Sequence, residues 1–184
     1  FLIVYIHSCG TKDNKKERFI NGLVKKMTLD EKVGQMTQVD KRMLDSESDI
    51  AEYFLGSVLS GGGSVPDDNT PKGWVSMVNA YQRQALSTRL KIPLIYGIDA
   101  VHGHNNVVGA TVFPHNIGLG CTNDPELIYQ VNQATAVEVA ATGLHWTFSP
   151  CITIPKDDRW GRQYEGYSES TKLVASLTSS AIKG

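Results

Sequence analysis

An excess of charge of either sign is the first thing the sequence lacks. Eighteen Lys and Arg stand against nineteen Asp and Glu in 184 residues, a formal net charge of -1. No basic cluster offers a track for a phosphate backbone, so no nucleic acid is expected as a partner. Cysteine is scarce: Cys9, Cys121 and Cys151 are the only three. They lie too far apart for a disulfide framework or a zinc motif, and Cys121 and Cys151 are expected to be plain buried thiols. No apolar run approaches the ~20 residues that a membrane-spanning helix needs. The sequence also has no Gly-x-Ser-x-Gly elbow, no phosphate-binding loop and no His-Glu-x-x-His. Gly118-Leu119-Gly120 begins like a dinucleotide fingerprint, but it lacks the third glycine and follows no strand. The composition itself, 41% hydrophobic and 20% charged, is that of a folded domain with a real core.

What is present centres on residues 93–120, PLIYGIDAVHGHNNVVGATVFPHNIGLG. Leu94-Ile95-Tyr96 is a short apolar run closed by Gly97. A polar tail follows at once, with Asp99, His102, His104, Asn105 and Asn106. A brief continuous apolar run is how a buried parallel strand reads, and in α/β folds functional groups collect just past its C-terminal end. Residues 145–169, HWTFSPCITIPKDDRWGRQYEGYSE, repeat the pattern. Two strand exits carrying polar groups suggest one site.

The rest of the chain supplies helices between short strands. Phe19, Ile20, Leu23, Val24 and Met27 recur at helical spacing, and Thr28-Leu29-Asp30-Glu31 is a capping box opening a second helix expected to bury Leu29, Val33 and Met36. Residues 56–59 are a strand candidate leading into the glycine-rich loop 60–64. Thr70-Pro71 starts a helix burying Trp74, Val78, Tyr81 and Ala85. Asn123-Asp124-Pro125 caps a long helix with the stripe Leu127, Val131, Ala134, Val137 and Ala141, ended by Gly143. Residues 146–149 form a third strand, and a last helix carries Leu173, Val174, Leu177 and Ala181. Such alternation implies parallel βα units with right-handed crossovers. The very short strands favour a barrel over an open doubly wound sheet. The expectation is an α/β fold: the N-terminal portion of a (β/α)8 TIM-type barrel, truncated after about three βα units.

Several groups near the strand exits are chemically capable. His102 and His104, one residue apart, either offer two metal ligands or simply hydrogen-bond loop backbone; a metal site needs further ligands and second-shell carboxylates. Asp157, Asp158 and Arg159 read as a structural ion-pair group, and Trp160 either packs its loop down or stacks on a ring. Asp99 and Arg162 suit a carbohydrate, because a carboxylate accepts from adjacent hydroxyls and a planar guanidinium donates to them in a fork.

At the N-terminus, FLIVYIHSC followed by GTKDNKKE resembles the end of a bacterial lipoprotein signal peptide. That makes residues 1–9 a signal remnant, Cys9 a lipidation site and residues 10–184 the barrel domain; the alternative is that residues 2–6 are a first strand. An exported protein, periplasmic or anchored by lipid to a bacterial membrane, is the matching expectation.

Three ordered motifs, MTLDEKVGQMTQ, IYGIDAVHGHNNVVGATVFPHNIGLG and PCITIPKDDRWGRQYEGYSES, resemble the N-terminal domain of glycoside hydrolase family 3, nearest its β-glucosidase and exo-β-glucanase members. The resemblance implies a retaining exo-glycosidase that removes glucose from the non-reducing end of β-glucosides or β-glucans, with no metal and no cofactor. It implies that Asp99 and Arg162 bind the sugar, and that the nucleophile and the acid/base lie outside this chain. Asp158 stands where the family usually has proline, and Pro155 and Gln163 stand where some members carry a disulfide-forming cysteine pair. The alternatives are a non-catalytic carbohydrate-binding remnant and a metal-dependent barrel hydrolase using His102 and His104.

Overall fold

The computed structural model describes residues 15–184. Cys9 and the apolar run before it lie outside the described residues. Helix α1 (Lys15–Lys26) is followed by α2 (Leu29–Gln35), which starts on the expected capping box: Thr28 Oγ1 accepts from the Glu31 N–H at 3.2 Å, and Glu31 Oε2 accepts from the Thr28 N–H at 2.8 Å. Glu31 does a second job. Its carboxylate also takes a fork from Arg89, at 2.6 and 3.2 Å, while Arg89 donates to the Lys26 carbonyl at 2.9 Å. The α1–α2 corner is thereby clamped to the loop that precedes residues 95–98.

Strands and helices then alternate: β1 (Gln38–Asp40), α3 (Asp49–Glu52), β2 (Ser57–Ser60), α4 (Pro71–Ser87), β3 (Ile95–Ile98), α5 (Asn116–Cys121), α6 (Pro125–Ala141), β4 (Trp146–Thr147) and α7 (Thr171–Lys183). The four strands form one sheet in the order β1-β2-β3-β4, every pair parallel. Sequential order with helical crossovers is how a (β/α) barrel wall is built, and all four C-terminal ends reach the same edge. The register places Val58 beside Tyr96 and Gly97 beside Trp146.

Two apolar clusters hold these layers. One joins β2 and β3 to α3 and α4 through Ile50, Val58, Trp74, Tyr96, Ile98 and Leu144. The other joins α5, α6 and α7 through Leu119, Ile128, Val131, Tyr167, Val174 and Leu177. Gly120 lets these elements approach: a Cβ there would lie 1.8 Å from the Tyr167 carbonyl oxygen, so any side chain displaces backbone. Gly143, with φ +81°, follows the α6 C-cap in the left-handed region that glycine tolerates.

The structure corrects four expectations. There are four strands, because β1, with the single apolar residue Val39, is too short and polar to stand out. Leu29 and Val33 of α2 and Met36 at its C-cap are exposed, since apolar spacing identifies a face but not what covers it. In α6 the buried face is Ile128, Val131, Thr135 and Val139, with Val137 exposed; a helix apolar on several sides leaves its phase ambiguous. Cys121 is exposed and Cys151 only half-buried. Beside β1, Leu29, Val33, Met43 and Tyr53 line an open groove of about 690 Å³.

Candidate functional site

The sheet edge formed by the strand C-termini gathers polar groups from the exits of all four strands. Asp40 closes β1. Its carboxylate takes both Nε and Nη2 of Arg42 at 3.0 Å, the Arg42 N–H at 2.8 Å and the Ser64 hydroxyl at 3.0 Å. The Arg42 guanidinium holds that carboxyl down at about 2. The exit of β2 is the glycine-rich loop. Gly61 leaves room between two acids, since a Cβ there would lie 3.6 Å from Asp99 Oδ2 and 3.8 Å from Asp40 Oδ2.

Asp99 leaves β3 as expected, its N–H donating to the Ser60 carbonyl at 3.2 Å and so continuing the ladder. Among the described residues none donates a hydrogen bond to its half-buried carboxylate. Burial pushes its carboxyl up from the ordinary range; Arg162 opposes that shift through space and Glu165 adds to it.

The last contribution comes from the loop after β4. Arg162 precedes a 3₁₀ turn, Gln163–Glu165, and closes no ion pair with Asp99. Its guanidinium instead forks onto Glu165, Nε to Oε1 at 2.8 Å and Nη2 to Oε2 at 2.5 Å. The Glu165 carboxylate also accepts from the Cys151 thiol at 3.7 Å, and its backbone carbonyl accepts from the buried Asn116 amide at 2.8 Å. Asp99 and Arg162 thus share one electrostatic environment, but with a partner the sequence reading left unpaired. The signal was an Arg-x-x-Glu spacing, which one 3₁₀ turn brings into register.

A ring stack ties this loop to the segment after β3. His102 lies 4.1 Å from His115 by ring centroids, and His115 lies 4.6 Å from Tyr164. Burial and the neighbouring His102 lower the His115 pKa, while Glu165 acts in the opposite direction. His102 Nδ1 contacts the Phe113 carbonyl at 2.8 Å, the loop-backbone role open to it. His104 is fully buried and bonds the Thr142 hydroxyl through Nε2 at 2.8 Å, so the two histidines do not converge on one point. Among the described residues no group of three or more His, Cys, Asp or Glu is placed to hold a metal ion. The Asp157–Arg159 fork, at 2.7 and 2.9 Å, is the solvated ion pair expected, while Asp158 accepts from Gln163 at 3.3 Å. Trp160 is 37% exposed.

A parallel βα sheet in sequential order, with carboxylates and a guanidinium at its C-terminal edge, defines the class: (β/α) barrel walls, in which functional groups collect at that end. The model of the glycosyl hydrolase family 3 N-terminal domain matches residues 28–184, and the chain belongs to this family. It is 35% identical to the lysosomal beta glucosidase of Dictyostelium discoideum over 92% of this chain and 23% of that protein. It is 33% identical to the periplasmic beta-glucosidase of Salmonella typhimurium over 91% of this chain and 20% of that protein. Among solved structures, the exo-1,3/1,4-beta-glucanase of a Pseudoalteromonas species superposes with a TM-score of 0.85 at 41% identity, over 94% of this chain and 22% of that one. The chain therefore spans about a fifth of the length of these relatives.

Proposed function

We propose that this chain forms the sugar-holding edge of a retaining exo-acting β-glucosidase-type hydrolase, with Asp99 and Arg162 gripping the hydroxyls of the non-reducing-end glucose. The observation that carries the reading is Asp99. On a family 3 frame, a half-buried carboxylate at a strand exit receives no donor from the described residues and lies in the field of a guanidinium that still has N–H groups to give. The Asp99 carboxylate accepts from neighbouring sugar hydroxyls, and these charge-assisted bonds strengthen as charge develops on the ring. The reaction is double displacement through a covalent glycosyl-enzyme, for which two carboxyl groups ~5 Å apart serve as nucleophile and acid/base. Both groups lie outside this chain in the proposal, and no metal or organic cofactor takes part.

β-Glucosides or β-glucan oligosaccharides are the substrates, supported by the relatives' activities and by a Listeria innocua β-glucosidase, 30% identical with a TM-score of 0.70, solved with laminaribiose. Export to the periplasm, with a lipid anchor at Cys9, is supported by the apolar run ending at Ser8-Cys9 and by the periplasmic Salmonella relative. Mass spectrometry finding Cys9 unmodified in the native protein would remove the anchor.

The test is an aryl β-glucoside assay on the longest polypeptide the gene encodes, with NMR of the first-formed anomer and with chelator present. Release of β-glucose, insensitive to chelator, is expected. Inversion, or turnover only with added divalent metal, would refute the proposal, and glucose binding without turnover would favour a binding module.

A further inference from the structure

The loop after β4 contains two forked Arg–carboxylate pairs of opposite character. In Arg159–Asp157 both side chains stand in water, 89% and 54% exposed. In Arg162–Glu165 the arginine is 63% exposed, but the carboxylate beneath it is only 14% exposed. An exposed pair between neighbouring residues contributes little, whereas a carboxylate drawn out of water loses hydration that its partners have to replace. Glu165 is built in. It accepts from Arg162 Nε, Arg162 Nη2 and the Cys151 thiol, its N–H donates to the Arg162 carbonyl at 3.0 Å, and Asn116 holds its own carbonyl at 2.8 Å.

The side-on fork also selects which donors remain. A guanidinium has five N–H groups. Glu165 engages Nε and one face of Nη2, and among the described residues nothing else accepts from Arg162. The two N–H groups of Nη1 and the second of Nη2 stay uncommitted.

We infer that Glu165 is a positioning residue: by forking Arg162 from below, it fixes the guanidinium plane and keeps the remaining donors for substrate hydroxyls rather than for the Asp99 carboxylate. This rests on the reading of Asp99 and Arg162 as the sugar grip. Released from Glu165, Arg162 closes on Asp99, occupying its acceptor oxygens and turning its own donors away. The groups that face Asp99 are Arg162, Glu165 and Cys151 from the segment after β4, with Asp40 across Gly61; Cys151 and His115 also face Glu165. Loss of the Glu165 charge removes one influence that raises the Asp99 pKa and lets Arg162 lower it further. Glucose affinity then persists to lower pH even though it is weaker.

The experiment uses the longest polypeptide the gene encodes, with glucose as competitive inhibitor of aryl β-glucoside hydrolysis between pH 4 and 8. Glu165→Gln keeps the shape and removes the charge. It is expected to raise KM and the glucose Ki by about tenfold, within the range of coupling between groups in contact, to shift the acid limb of the Ki profile to lower pH, and to leave the melting temperature within a few degrees. In an Arg162→Ala background the same change is expected to cost nothing more, because Glu165 acts through Arg162. Arg162→Lys is the second variant, since an ammonium cannot be held in a fork. It is expected to reproduce the rise in Ki and serves if Glu165→Gln does not fold. Harmless Arg162→Ala would sink the sugar-grip reading itself. Harmful Arg162→Ala with a wild-type Ki profile for Glu165→Gln, or losses that add in the double variant, would overturn only the positioning role.

Discussion

Asp99→Asn separates binding from folding. The substitution is isosteric. Since no described group donates to the Asp99 carboxylate, it orphans no buried donor, and the fold should be affected by no more than about 0.5 kcal/mol. Burial raises the folded-state pKa of Asp99 above its unfolded value. Its contribution to stability is therefore full below the unfolded pKa and declines as pH rises through the folded one. At neutral pH the charged group is slightly unfavourable to the folded chain, so the amide should leave the melting temperature equal or a little higher. Binding behaves in the opposite way. In the proposed sugar grip, two hydroxyls donating to an ionised carboxylate lose charge assistance, and one of them meets an NH₂ instead of an acceptor. The expected cost is about 2–4 kcal/mol of transition-state binding, roughly 30- to 1000-fold in kcat/KM. The assay is kcat/KM for an aryl β-glucoside on the longest polypeptide the gene encodes, alongside thermal melts at pH 5 and 7. Unchanged kcat/KM, or a melting temperature lowered by many degrees, would show Asp99 to be structural and refute the reasoning.

Asp40, held near 2 by Arg42, stabilises the fold above pH ~4 and loses that contribution as pH falls toward 2; with Arg42 largely exposed the effect is about 1 kcal/mol. Urea melts from pH 5 to pH 2 should show Asp40→Asn with a flatter acid limb, and an unchanged slope would mean the fork does not form in solution. Gly120→Ala drives a methyl into the Tyr167 carbonyl and should cost about 1–3 kcal/mol. Gly62→Ala, with open space around its Cβ position, should cost under about 0.5 kcal/mol in the same melts. The 184-residue chain alone should release no nitrophenol from an aryl β-glucoside while showing weak glucose contacts by saturation-transfer NMR; turnover by the isolated chain would place a catalytic pair within it.

How much of this was legible in the sequence depended on whether a feature is local. The capping box at Thr28, the Thr70-Pro71 start of α4, the Asp124-Pro125 start of α6 and the Gly143 stop are all written within four residues, and all stand in the structure. The exit of β3 at Asp99 was equally readable, because a buried run ending in a charge is a local event. Features that depend on distant partners were not. Burial of Leu29, Val33 and Met36 was inferred from spacing alone, and spacing does not supply a covering surface. β1 was overlooked because Gln38-Val39-Asp40 becomes a strand only through its pairing with Ser57 to Leu59. The candidate site shows the same division. Asp99 and Arg162 were identifiable one by one as groups suited to hydroxyls, but the Arg162–Glu165 pair beside them was not. A 3₁₀ turn brings positions three apart nearly into eclipse, so Glu165 reaches the guanidinium at the cost of one turn of backbone, whereas Asp99 stands on a different strand exit and acts on Arg162 only through space. Once the loop takes that turn, the nearer carboxylate captures the fork and the farther one stays open. That competition leaves Asp99 with unclaimed acceptors and Arg162 with unclaimed donors on the same sheet edge.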